Sequence, residues 1–361
     1  MILVYPSHFA HYKNGKSLVV GVMRALHLVE IGNPLIGTDL EMPTLGPGDL
    51  RVRVEAAGIC HSDVHYRAGT SYAGPLPLVP GHEVAGTVDA VGEGVSGHQP
   101  GERVCLHYLV TCGDCRYCRA DNEPFCPDGQ MLGKHRNGGF AEFIVVPARN
   151  AFLLPDSVSM VAGAVMMCSA STSYHALRRA RMQPGESVAV FGIGGLGLAA
   201  VQLALAMGAS QVFAVDLQAE KLALAAELGA VPVAGGEGSV ATIREACGGV
   251  DVALELVGHP DTMRQAVQVL GVQGRAALAG ITERDMTLNS YADLIGREAE
   301  VMGVSDHLAV EIPDLLAFAA EGRLDVERGV TETVPLEAGA VNRVLDELAA
   351  GRAGIRSVIV T

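Results

Sequence analysis

The chain has 361 residues, 49% hydrophobic and 18% charged, with a formal net charge of −14. It is long enough for two domains and too long for one ordinary core, and its composition is that of a soluble globular protein. The acidic balance argues against a nucleic-acid or anionic-membrane surface, which would need a basic patch, and no apolar run approaches the ~18–20 residues of a membrane span.

Residues 1–22 have no basic start followed by an apolar core, so they read as an N-terminal extension rather than a secretory signal. Without export the expected location is cytoplasmic. The eight cysteines are then expected to be reduced, and clustered cytosolic Cys favours metal over disulfides. Met23 opens a strand in "MRALHLVEIG", and from there to about residue 150 the runs are short and strand-like. "LRVRVEAAGI", "HEVAGTVDAVG", "ERVCLHYLV" and "FAEFIVVP" are separated by Gly and Pro turns. After "RMQPGE" apolar strands alternate with helical runs. "SVAVFGI" leads into "GLGLAAVQLALAMG", "QVFAVDL" into "QAEKLALAAELG", and "VDVALELVG" into "DTMRQAVQVLG". That alternation predicts an α/β unit with a doubly wound parallel sheet. The expected domains are 23–170, completed by 317–361, and a nucleotide-binding unit over 171–316.

In "VAVFGIGGLGLAA", Gly192, Gly194, Gly195, Leu196 and Gly197 lie between an apolar strand and an apolar helix. A glycine-rich match alone is weak in a chain with 44 glycines. Here a strand precedes it, a helix follows, and Asp216 ends the next strand near the spacing of a ribose-binding carboxylate. The glycines let the backbone approach a pyrophosphate, and the helix N-terminus supplies unpaired N–H groups. Asp216 would repel a 2′-phosphate, and Leu217 and Gln218 bring no Arg, so NAD is expected over NADP. The bland alternative is a tight turn plus a surface Asp.

"TCGDCRYCRADNEPFC" sets Cys112, Cys115, Cys118 and Cys126 in a pattern that closes a tetrahedral thiolate site, the structural zinc pattern. Four free surface thiols are the alternative. A DNA-reading finger is disfavoured, because the loop lacks a recognition helix and a basic face. A catalytic zinc instead needs three protein ligands and an open position. Cys60 in "GICHSDVHYRAG", His82 in "PGHEVAG" and Cys168 in "MMCSASTSY" make a Cys₂His set, although each alone has an ordinary reading as a buried thiol or a turn histidine. Cys105 and Cys247 read as structural.

Together these segments resemble the zinc-dependent alcohol dehydrogenases of the medium-chain dehydrogenase/reductase superfamily. "GHEVAGTVDAVGEGV" fits that family's zinc signature through Gly81, His82, Glu83, Gly86, Gly92 and Val95. "GICHSDVH", the four-Cys lobe, "GIGGLG" and "VDLQAEK" follow in the family's order, and the resemblance covers roughly residues 23–361. It implies a GroES-like β-rich catalytic domain, a Rossmann domain and a cleft between them. Cys60, His82 and Cys168 then resemble catalytic zinc ligands, Glu83 the acid beside the metal, and Ser62 and His65 a proton relay. Thr172 resembles a nicotinamide contact, Asp216 and Lys221 an adenosine-ribose pair, and Arg356 a pyrophosphate contact. His61 stands where some relatives carry an Arg on the cofactor phosphates, and a neutral His would bind them less firmly. Tyr72 and Tyr108 are candidate walls of the alcohol pocket.

The expected activity is reversible hydride transfer between a primary or secondary alcohol and NAD, with two zinc ions per chain, a small-molecule alcohol or carbonyl partner, and a homotetramer or homodimer. One rival keeps the fold and changes the substrate to a polyol, amino alcohol or thiol adduct. A distant rival is a non-catalytic zinc- and nucleotide-binding protein, which zinc content and NAD-dependent absorbance at 340 nm would separate from the enzymes.

Overall fold

Strict alternation in "DLRVRVE" sets the frame of the first sheet. Leu50, Val52 and Val54 of strand β3 (Asp49–Ile59) are fully buried while Arg51, Arg53 and Glu55 face the other side, the period-2 pattern of a half-buried strand. From Ala56 onward both faces are covered, and the strand ends at Ile59, one residue before Cys60.

The computed structural model describes residues 21–361 and two short strands before them, Tyr12–Lys13 and Lys16–Ser17. Of the N-terminal extension expected over 1–22, the other residues up to 20 lie outside the described residues, and its last residue, Val22, already belongs to the first strand of the domain. Before β3, β1 (Val22–His27) and β2 (Ile36–Glu41) pair antiparallel. After it come helix α1 (His61–Ala68), β4 (Glu83–Val91), β5 (Arg103–Leu106), β6 (Phe143–Pro147) and β7 (Ala151–Leu153). The sheet runs β7-β5-β4-β3, and β6 also pairs with the first half of β3. The single strand expected in "ERVCLHYLV" is broken after Leu106 and resumes only at Leu109–Val110. The side chain of Asn150 donates to the carbonyls of both His107 and Leu109, at 2.8 Å each, so these groups leave the ladder and His107 and Tyr108 turn inward.

Helix α2 (Met160–Val165) passes through a π turn, Met166–Ala170, into α3 (Ser171–Arg179). Cys168 sits in that turn; such bulges recur at functional sites. The second sheet follows: β8 (Ser187–Phe191), α4 (Gly195–Ala206), β9 (Gln211–Asp216), α5 (Ala219–Glu227), β10 (Val231–Ala234), α6 (Ser239–Cys247), β11 (Val250–Glu255), α7 (Pro260–Gln268), β12 (Leu270–Leu278) and β13 (Glu300–Gly303). Its order is β10-β9-β8-β11-β12-β13, with every pair parallel. This is a doubly wound Rossmann sheet, and its ligand crevice opens where the order reverses beside β8.

Helix α8 (Ile312–Ala320) leads back to the first sheet. There β14 (Val330–Pro335), helix α9 (Ala338–Ala349) and β15 (Arg356–Val360) complete the chain. Strand β15 pairs antiparallel with β3, Ser357 opposite Ile59 and Val358 opposite Gly58, while Gly58 faces Glu83 on its other side. The last strand therefore brings Arg356 beside residues almost three hundred positions earlier. None of the described helices is long and apolar enough to cross a membrane.

Candidate active site

Cys60 is the N-cap of α1, and the Asp63 carboxylate accepts its backbone N–H at 2.9 Å. The other Asp63 oxygen lies 3.8 Å from His82 Nδ1. One buried carboxylate thus fixes the Cys60 loop and stands behind the imidazole, the usual place of an orienting partner for a metal-binding His. Side-chain ligand atoms of Cys60, His82, Glu83 and Cys168 all lie within 4.8 Å of one another. Both ring nitrogens of His82 and one oxygen of Glu83 are buried without a hydrogen-bond partner. Orphaned buried donors and acceptors are costly, and two thiols plus an imidazole suit a borderline-soft ion such as zinc. The residues fit the metal. A hydrogen bond from Cys168 and the nearby His82 hold the Cys60 thiol well below its ordinary range, so this sulfur is poised as a thiolate ligand.

Glu83 is fully buried, and burial pushes its carboxyl up to about 7 against the pull of Arg356. Its second oxygen accepts a hydrogen bond from the Arg356 guanidinium, itself only 6% exposed. Gly58 makes room for this pair, because a Cβ there would overlap the carboxylate. The stem of Arg356 lies where a Cβ on Gly195 would go. The residue expected at the pyrophosphate thus packs under the glycine-rich loop and spends its charge on Glu83, linking the two halves of the cleft.

The loop itself starts at Gly192. Gly197 approaches the Gly192 carbonyl too closely for any side chain, while the space around the Gly194 Cα is open. Gly194 caps α4 with no side-chain bond, leaving the first N–H groups of the helix free for an anion. Asp216 accepts from Ile193 N at 2.7 Å and Gln218 N at 2.9 Å, so it braces the loop as well as facing the crevice. Lys221, on the first turn of α5, is partly buried. Ser173 donates to the Leu196 carbonyl at 2.8 Å, tying the start of α3, which carries Thr172 directly after the Cys168 turn, to the glycine loop.

Ser62 Oγ lies 3.7 Å from Cys60 Sγ. His65, one helical turn on and exposed, pairs through Nδ1 with Thr70 Oγ1 at 2.9 Å. Burial and the neighbouring His61 lower its imidazole from the ordinary 6.5. The two proposed wall residues part company. Tyr108 is buried, with its ring edge-on to His82 at 5.3 Å between centroids. Tyr72 is 69% exposed, with its ring 6.1 Å from that of His135. Cys105 is fully buried, while Cys247 is exposed at the end of α6, so the expectation that both are structural separates them.

The four sulfurs of Cys112, Cys115, Cys118 and Cys126 also gather within 4.8 Å, with S···S separations of 3.5, 3.6 and 3.9 Å. A tetrahedron built on Zn–S bonds of about 2.3 Å has edges of about 3.8 Å. Backbone N–H groups of Asp114 and Cys115 point at Cys112 Sγ and hold its thiol down to about 7. This donor set also fits zinc, and it fills all four positions. Asp63, Arg356 as the partner of Glu83, and the Tyr108 environment escaped the reading of the sequence. The Cys60-x-x-Asp63 capping pattern was a usable signal for the first; the others rest on contacts between distant segments.

Residues 46–156 match the alcohol dehydrogenase GroES-like domain and residues 195–321 the zinc-binding dehydrogenase domain. An alcohol dehydrogenase of Geobacillus stearothermophilus is 35% identical over 341 residues, 93% of this chain and 98% of that one. An NAD-dependent alcohol dehydrogenase of Sulfurisphaera tokodaii is 32% identical, covering 94% of this chain and all of its own. The structure of alcohol dehydrogenase TADH from Thermus sp. ATN1 matches with a TM-score of 0.86 at 32% identity, over 94% of this chain and 99% of that one. The chain belongs to the zinc-type alcohol dehydrogenases of the medium-chain dehydrogenase/reductase superfamily. It is a nicotinamide-dependent oxidoreductase of alcohols and carbonyls.

Proposed function

We propose that the reaction runs at the cluster of Cys60, His82 and Cys168, and that the convergence of their ligand atoms within 4.8 Å is the observation that carries the assignment. These three residues would hold a catalytic zinc. When bound, that ion supplies a Lewis acid that favours alkoxide over alcohol and polarises a carbonyl. Ser62 takes the hydroxyl proton of the substrate, and His65 receives it at the solvent side, where its lowered basicity lets it pass the proton to water near neutral pH. Glu83 stands in reserve beside the ligands, its charge balanced by Arg356. Thr172 and the glycine loop (Gly192, Gly194, Gly195, Leu196, Gly197) orient NAD, and Asp216 with Lys221 selects the unphosphorylated ribose.

Cys112, Cys115, Cys118 and Cys126 hold a second, structural zinc, giving two ions per chain. The family resemblance supports a homotetramer, with a homodimer as the alternative that light scattering separates. A cytoplasmic location goes with two sets of reduced cysteines. The test is a steady-state panel of primary, secondary, aryl and polyol alcohols with NAD and NADP, followed at 340 nm alongside metal analysis. Turnover with NAD and about two zincs per chain is the expected result; one zinc and no turnover on any alcohol would sink the reading.

A further inference from the structure

Between β13 and α8 the chain crosses from the nucleotide-binding sheet onto the first domain, and residues 305–311 dock there through side chains that the reaction does not use. His307 is fully buried and meets His107, Nε2 to Nδ1, at 2.9 Å. The backbone N–H of Ala309 donates to Glu123, inside the four-Cys lobe, at 2.5 Å. The Tyr108 hydroxyl donates to Asp306 at 3.0 Å. Because the Tyr108 ring stands edge-on to His82, one side chain alone separates the Asp306 carboxylate from the ligand cluster. Burial, ahead of any neighbouring charge, pushes the phenols of Tyr66 and Tyr108 up, so the Tyr108 hydroxyl stays a donor to Asp306.

The Asp306 backbone is left-handed, with φ +54, a conformation that Asp tolerates better than most non-glycine residues. Its carboxylate is partly buried, yet its hydrogen-bond partners among the described residues are hydroxyls, Tyr108 at 3.0 Å and Ser305 at 3.1 Å. The adjacent histidines do not supply a countercharge, since burial holds His107 down to about 3 and lowers His307 as well. A carboxylate accepts about four hydrogen bonds, so acceptor capacity remains. A partly buried carboxyl whose partners among the described residues are hydroxyls, with acceptor positions to spare, favours a ligand that brings a donor.

We propose that Asp306 is a specificity-determining residue that accepts a hydrogen bond from a second donor, hydroxyl or ammonium, on the alcohol substrate. The substrate class is then a diol, polyol or amino alcohol rather than a monofunctional alkanol. This rests on the alcohol dehydrogenase reading of the same site.

The test uses the zinc-loaded full chain with NAD and three matched secondary alcohols: 2-butanol, 2,3-butanediol and 3-amino-2-butanol. The wild type is expected to favour at least one bifunctional substrate over 2-butanol by about tenfold or more in kcat/KM, the scale of one hydrogen bond to a charged group. The two bifunctional arms tell hydroxyl from ammonium. Asp306→Gly suits the positive φ and should collapse the preference towards unity. Asp306→Asn also tolerates that backbone; it should erase an ammonium preference and keep part of a hydroxyl one. Calorimetric binding of the favoured alcohol, without turnover, should weaken by the same factor in Asp306→Gly. Equal treatment of the three alcohols by the wild type, or an unchanged ratio in Asp306→Gly, overturns the inference. Turnover confined to monofunctional or aryl alcohols does so too while leaving the functional reading standing. No turnover on any alcohol removes both.

Discussion

The molecule gathers thiols twice, and the two clusters are built differently. The Cys112–Cys126 lobe offers four sulfurs, with Cys112 exposed and Cys115 and Cys118 partly so, packed within fifteen residues of chain. The Cys60 cluster offers two sulfurs and an imidazole, drawn from an N-cap, a strand entrance and a π turn. The first is a local device: its geometry depends on its own turns and the backbone N–H groups aimed at Cys112. The second exists only after the first sheet has closed around its C-terminal strand, because β3, β4 and β15 must be in register before Glu83 meets Arg356. Ligand number separates the roles, since four thiolates leave a metal nothing to offer a substrate while three ligands leave one position open.

Four substitutions probe this contrast. Cys60→Ala should keep the fold and lower kcat by roughly three orders of magnitude or more, the several kcal/mol that a Lewis acid supplies, read as NADH formation beside an unchanged circular dichroism spectrum. Arg356→Ala strands a buried carboxylate. It should cost about 3–5 kcal/mol of stability in urea unfolding, far more than Arg343→Ala at the exposed pair with Glu347.

His65→Gln should lower alcohol oxidation by up to about 10²-fold near neutral pH. In the wild type the neutral imidazole accepts the proton, and its pKa lies below 6.5. Oxidation should therefore persist as pH falls to 6.5 and fail only as pH drops through that lower value, whereas the variant should gain activity as pH rises. A pH–rate profile of kcat/KM shows both limbs. Cys115→Ala should lose a few degrees of Tm while the surviving folded enzyme keeps its kcat, the smallest of these effects.

Much of this was legible in the chain. The parallel sheet declared itself through "SVAVF", "QVFAVD" and "VDVALE", apolar runs in step with helical ones. The ligands stood in motifs whose glycines leave room, as Gly86 does for the Arg53 carbonyl. Strand β10 did not declare itself, because Val231–Ala234 lies at the sheet edge with one buried residue. The break at His107 and Tyr108 was hidden because its cause is Asn150, more than forty residues on. Glu83 with Arg356, and Tyr108 with Asp306, join segments 273 and 198 residues apart. No local periodicity records such meetings; the return of β15 to β3 creates the first and the docking of 305–311 the second.

The most direct measurement of the account is zinc content together with NAD-linked turnover for Cys60→Ala and Cys115→Ala, each checked for its fold. The division of roles predicts two zincs in the wild type and about one in each variant, with turnover abolished only in Cys60→Ala. A Cys115→Ala protein that is fully stable and selectively inactive would contradict it.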